Sequence, residues 1–156
     1  MTLLGEGNRK VMQQQSAQGE IEKRYRVLLI IWAAMLMNIS LLALVGYFAR
    51  PEAPADDSGG SGGIILMVLL LGVTTVALSY ILKKTFLARA ESGQKLDSVQ
   101  VAYVVAFALC ESAALFGLVA LFVTGNIYSY IGFIVGAIGI MLHMPRRDHL
   151  LAASYK

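Results

Sequence analysis

The chain carries thirteen Lys and Arg and ten Asp and Glu, and all of them except Glu111 fall in four polar segments, 1–26, 50–62, 83–98 and 145–156. Four apolar stretches lie between these segments, at 27–49, 64–82, 99–123 and 127–144. A helix needs ~20 apolar residues, with a range of ~17–25, to cross the hydrocarbon core of a bilayer. Each run meets that length, and none contains proline. In lipid every backbone N–H and C=O has to be satisfied within the segment, which forces helices. The expected fold is therefore all-α, a four-span transmembrane bundle. Its polar segments are an N-terminal tail (1–26), two connections, and a C-terminal tail (145–156).

Composition agrees. Hydrophobic residues make up 57% of the chain and charged residues 15%, against ~45–50% apolar and ~25% charged in soluble domains. At 156 residues there is room for one membrane domain and little else. The formal charge of +3 comes from basic residues flanking the apolar runs, so the charge implies no nucleic acid partner. The single cysteine, Cys110, excludes an intrachain disulfide and any thiol–disulfide motif. It reads as a small apolar packing residue. No P-loop, dinucleotide-binding glycine motif or metal-ligand spacing occurs. No cofactor and no metal is expected, and no nucleophile–base constellation points to an enzyme.

Positive residues set the orientation. Lys23, Arg24 and Arg26 precede the first run, Lys83, Lys84, Arg89 and Lys95 lie between the second and third, and Arg146 and Arg147 follow the fourth. The 50–62 connection has only Arg50, and the Thr124-Gly125-Asn126 turn has no charge. The alternation puts both termini and the 83–98 loop in the cytoplasm. Tyr128 and Tyr130 would then sit in the outer aromatic belt. Ala53-Pro54-Ala55 resembles a signal cleavage site, but the first run is longer than the ~7–15-residue core of a signal peptide, so a retained anchor is expected. Residues 13–18 (QQQSAQ) read as disordered or frayed helix, and the Gly- and Pro-rich 50–62 loop as flexible. His143 and His149 read as interface and tail residues. The expected surroundings are the lipid bilayer, that of a bacterial cytoplasmic membrane, and other membrane subunits or further copies of the chain.

Glu111 is the chemical centre of this reading. An ionisable group at mid-bilayer costs at least ~2.5–3.5 kcal/mol on insertion scales, so it is rare there and usually has a function. Ala106, Cys110, Ala113, Gly117 and Ala120 recur at steps of four and three and form a stripe of small side chains suited to close helix packing. Glu111 lies ~100° round the helix from that stripe, in a row with Val104, Ala108, Leu115 and Leu118. Ser112 is the polar residue beside it. Asn38, Thr74 and Thr75 lie at similar depth in the first and second runs and are candidate hydrogen-bond partners. No Lys or Arg occurs in any apolar run. Burial disfavours the charged form of a carboxyl, so a carboxyl hydrogen-bonded to a hydroxyl or an amide is expected, neutral at rest and able to exchange a proton. In the fourth run, Gly132 and Gly136 form a GxxxG pattern, followed by Gly139. It serves packing within the chain or between chains.

Residues 107–122, FALCESAALFGLVALF, resemble the ion-binding helix of the rotary ATPase proteolipid, subunit c. Ala108-Leu109-Cys110-Glu111 is similar to that family's Ala-Leu-x-Glu core. Gly117-Leu118-Val119 is similar to the Gly-Leu-Val that follows, with the glycine six residues past the acid. The resemblance implies a helical hairpin from the second and third runs, with Glu111 as the proton- or sodium-binding carboxylate. The second run has Gly72 where the family has closely spaced glycines, and the family's Arg-Gln-Pro loop is absent. The resemblance therefore implies a c-like or accessory subunit of a larger membrane complex. Two further expectations stand beside it. One is a structural or assembly subunit in which Glu111 only fixes packing. The other is a small proton-coupled homodimeric transporter, by analogy with small multidrug transporters of four spans and one membrane carboxylate.

Overall fold

A computed structural model describes residues 3–51, 60–93 and 96–154 of the chain. The Ala53-Pro54-Ala55 segment and most of the 50–62 connection lie outside the described residues. Among the described residues, five α-helices and one 3-10 turn follow in order: α1 (Leu3–Ala49), α2 (Gly60–Gly93), α3 (Leu96–Thr124), the 3-10 turn (Ile127–Tyr130), α4 (Ile131–Leu142) and α5 (Arg147–Ser154). Among the described residues, three helices are long and apolar enough to cross a membrane, and four if α4 is counted with α5, from which it is bent by 51°.

The helices outrun the apolar stretches. The 47 residues of α1 span about 70 Å at 1.5 Å per residue, more than twice the ~30 Å hydrocarbon core. Residues 13–18 are part of that helix, not a frayed segment, because Gln and Ala have high helix propensity. The expected 83–98 loop is largely helical, since α2 runs on to Gly93 and α3 starts at Leu96. Lys, Ala, Leu and Glu continue a helix readily outside lipid. The expected polar tail after residue 145 contains α5, whose Leu150 and Ala153 are buried.

Between α3 and α4 the turn follows its residues. Gly125 takes φ 63°, a left-handed conformation that costs other residues ~1–2 kcal/mol. Its N–H bonds the Leu121 carbonyl at 2.8 Å, closing the end of α3. Asn126 caps the 3-10 turn by accepting from the Tyr128 N–H at 3.0 Å. Tyr128 is exposed, and Tyr130 is half-buried against Phe133.

α3 is the central helix. In its apolar window 44% of residues are buried, against 11% for α1 and for α2. It packs most extensively on α2, then α4, then α1. Large apolar side chains on the outer faces, among them Met37, Phe48, Met67 and Val119, are exposed. Such a surface suits lipid, since monomeric soluble proteins rarely expose contiguous apolar patches larger than a few hundred Å². At the basic end, ion pairs fasten α1 to its neighbours. Arg24 pairs with Glu20 and with Asp97 of α3, and Arg147 of α5 pairs with Glu22 at 2.8 Å. Exposed pairs of this kind contribute at most ~1 kcal/mol each; buried Ile21, Leu28 and Leu150 carry more of that packing.

Candidate functional site

Glu111 and Asn38 meet across the α1–α3 interface. The Asn38 Nδ2–H donates to Glu111 Oε1, and both side chains are half-buried. Two features place them together. Toward the apolar end of α1, Gly46 sits against Leu118 and Leu121 of α3; a Cβ there would lie 2.8 Å from Leu121 Cδ2. Toward the basic end, the Trp32 indole N–H donates to the Ile140 carbonyl of α4 at 3.0 Å. Asn38 lies between these anchors, and Glu111 lies two turns before Leu118 on the same helical face. An amide N–H can donate to a carboxylate or to the carbonyl oxygen of a protonated carboxyl. The pair therefore serves both protonation states.

The other polar groups at this depth bond their own helices. Thr74 Oγ1 donates to the Leu70 carbonyl at 2.7 Å, Thr75 Oγ1 to Gly72 at 2.8 Å, and Ser112 Oγ to Ala108 at 2.9 Å. Asn38 is the one candidate partner that the fold brings to Glu111.

The stripe of Ala106, Cys110, Ala113, Gly117 and Ala120 is buried along its whole length. It receives α4 at backbone distance. A Cβ on Gly132 would lie 2.5 Å from the Gly117 Cα, one on Gly136 2.8 Å from the Cys110 carbonyl oxygen, and one on Gly139 2.8 Å from Cys110 Sγ. The GxxxG face is thus occupied within the chain. Gly72 brings α2 to Ala113 on a neighbouring part of the same helix, at an ordinary 3.5 Å.

One polar cluster has no counterpart in the sequence reading. His143, expected at the interface, is 1% exposed. Its Nδ1 lies 2.7 Å from the Gly139 carbonyl, and its Nε2 3.3 Å from Ser79 Oγ of α2. Ser79 Oγ is in turn 3.5 Å from Cys110 Sγ. A carbonyl only accepts, so Nδ1 carries a hydrogen. The one hydrogen of the Ser79 hydroxyl goes to the Val76 carbonyl of its own helix at 2.6 Å, so its oxygen meets Nε2 as a close polar contact. Both side chains are enclosed between α2, α3 and the end of α4, so here the pair acts as a polar lock between helices. A small residue on one apolar run and a histidine at the end of another, 64 positions apart, offer no local signal of pairing. His149 is half-buried, its ring 6.2 Å from that of Tyr103.

Among the described residues, no three His, Cys, Asp or Glu side chains group closely enough to hold a metal ion. The apolar helices and the lipid-suited surface define a small membrane protein. No protein family, no curated protein and no solved structure matches the chain.

Proposed function

We propose that this chain is a four-span membrane subunit, with both termini cytoplasmic, in which Glu111 takes up and releases a proton as part of a larger proteolipid-like complex. The observation that carries this reading is the Asn38–Glu111 hydrogen bond. The acid lies within an apolar helix with an amide donor as its partner. The apolar runs hold no Lys or Arg to fix its charge. Its half-buried position leaves one edge open to lipid or to a neighbouring subunit. A carboxyl so placed is costly as a mere packing device: interhelical polar contacts in membranes average ~0.6 kcal/mol, against an insertion cost of at least ~2.5 kcal/mol.

A second reading rests on the same bond. Asn38 ties α1 to α3, and a structural subunit would need no more than that. The substitution Glu111→Gln separates the two, because Gln keeps shape and hydrogen bonding but cannot exchange a proton. Under the proton-handling reading, membranes carrying the variant accumulate and assemble it normally yet lose proton-dependent activity. Full activity in Glu111→Gln would leave the structural subunit standing.

A further inference from the structure

The basic end of the bundle contains a cavity of about 300 Å³ between the ends of α2 and α4 and the start of α5. It starts where the apolar run of α2 stops, at Lys83, and is closed on the other side by the turn after α4. Three cationic side chains line it, Lys83, Lys84 and Arg146. No carboxylate does. Among the described residues, the ion pairs use Arg24, Arg26 and Arg147 instead. Tyr103 engages two of the three cationic residues of the cavity. Lys83 Nζ stands 4.2 Å above the Tyr103 ring, and the Arg146 backbone N–H donates to the Tyr103 hydroxyl at 3.1 Å. Tyr103 thus holds Lys83 and the Arg146 backbone at the same end of the cavity.

Leu87, Leu142 and Met144 line the rest of it together with Tyr80 and His149, and Leu142 is 71% exposed and Met144 51% exposed on the lipid-suited surface. The cavity is thus cationic toward the aqueous edge and apolar toward the bilayer. Its volume matches the lower end of small-ligand sites, ~300–1,000 Å³.

We infer that this cavity binds the phosphodiester headgroup of an anionic phospholipid, with Lys83, Lys84 and Arg146 on the phosphate and the upper acyl chains along Leu142 and Met144. A bound anion neutralises like charges that the fold holds together. Basic pockets between membrane helices on the cytoplasmic side take anionic headgroups for this reason. A soluble phosphate would meet the same cations but leave the apolar wall unused. The site is separate from Glu111 and does not depend on its role.

The test is native mass spectrometry of the full-length protein released from detergent, with phosphatidylglycerol, phosphatidylcholine or inorganic phosphate added. One phosphatidylglycerol is expected to stay bound, phosphatidylcholine to be lost, and inorganic phosphate not to displace the lipid. Removing two charges in Lys83→Gln/Arg146→Gln is expected to weaken binding about 30-fold, at the usual contribution of a basic residue near an anionic membrane. Lys23→Gln/Arg26→Gln removes the same charge from exposed positions on α1 outside the cavity, and should leave binding unchanged. Equal retention of phosphatidylcholine would overturn the proposal. So would displacement by inorganic phosphate, or equal weakening in the α1 variant. The comparison of the three additives on the unaltered protein decides even if the double variant fails to fold.

Discussion

Gly117 of α3 and Gly132 of α4 lie so close that a Cβ on the second would sit 2.5 Å from the Cα of the first. Neither atom belongs to a flexible side chain, so the helices themselves would have to part. Gly132→Ala should lower stability by roughly 1–3 kcal/mol, the usual range for overpacking. Gly62→Ala is the control, since nothing lies within 4 Å of a Cβ there and Ala is the better helix former by ~1 kcal/mol. Thermal unfolding in detergent checks both. Equal melting temperatures would mean that α3 and α4 do not meet at this pair.

The lock at the basic ends of α2 and α4 gives a second prediction. Ser79→Ala leaves His143 Nε2 buried without its hydroxyl, at a cost of ~1–3 kcal/mol. His143→Phe removes the same contact from the other side. If the two groups bond each other, the double variant loses less than the two single losses combined. Strict additivity in the double-mutant cycle would show that they do not interact.

Topology is open to a simpler measurement. Reporter fusions after Ser92 and at the C-terminus should report the cytoplasm, and one at Ser58 the outside. The expectation follows from the alternation of Lys and Arg across the apolar runs. A cytoplasmic signal at Ser58 would remove the four-span arrangement.

Much of this molecule is legible in its sequence because lipid leaves few options. Long apolar runs bounded by charges have to become helices, and the spacing of Ala106, Cys110, Ala113, Gly117 and Ala120 marks the face on which α3 is packed. Asn38 and Glu111 are visible as polar residues at matching depth. Their pairing depends on how α1 is rotated, which Trp32 and Gly46 determine through contacts distant in sequence, and the exclusion of Thr74 and Thr75 depends on α2 turning Gly72 and Ser79 toward α3. Charged segments read as loops because charge ends a membrane span, but it does not end a helix; hence the length of α1 and α2. The GxxxG face of α4 could equally have served a second chain, and only the packed helices show which partner fills it. His143 was missed because its partner, Ser79, is an ordinary residue in another run.

The central claim is that Glu111 exchanges a proton, and pH-titrated infrared difference spectroscopy of the reconstituted protein tests it most directly. As the pH falls, a protonated-carboxyl C=O band should grow in the unaltered protein. It should be absent in Glu111→Gln, and shifted in Asn38→Leu because the carbonyl loses its amide donor. A carboxyl band that is present but unchanged across the titration, or one that persists in Glu111→Gln, would contradict the account.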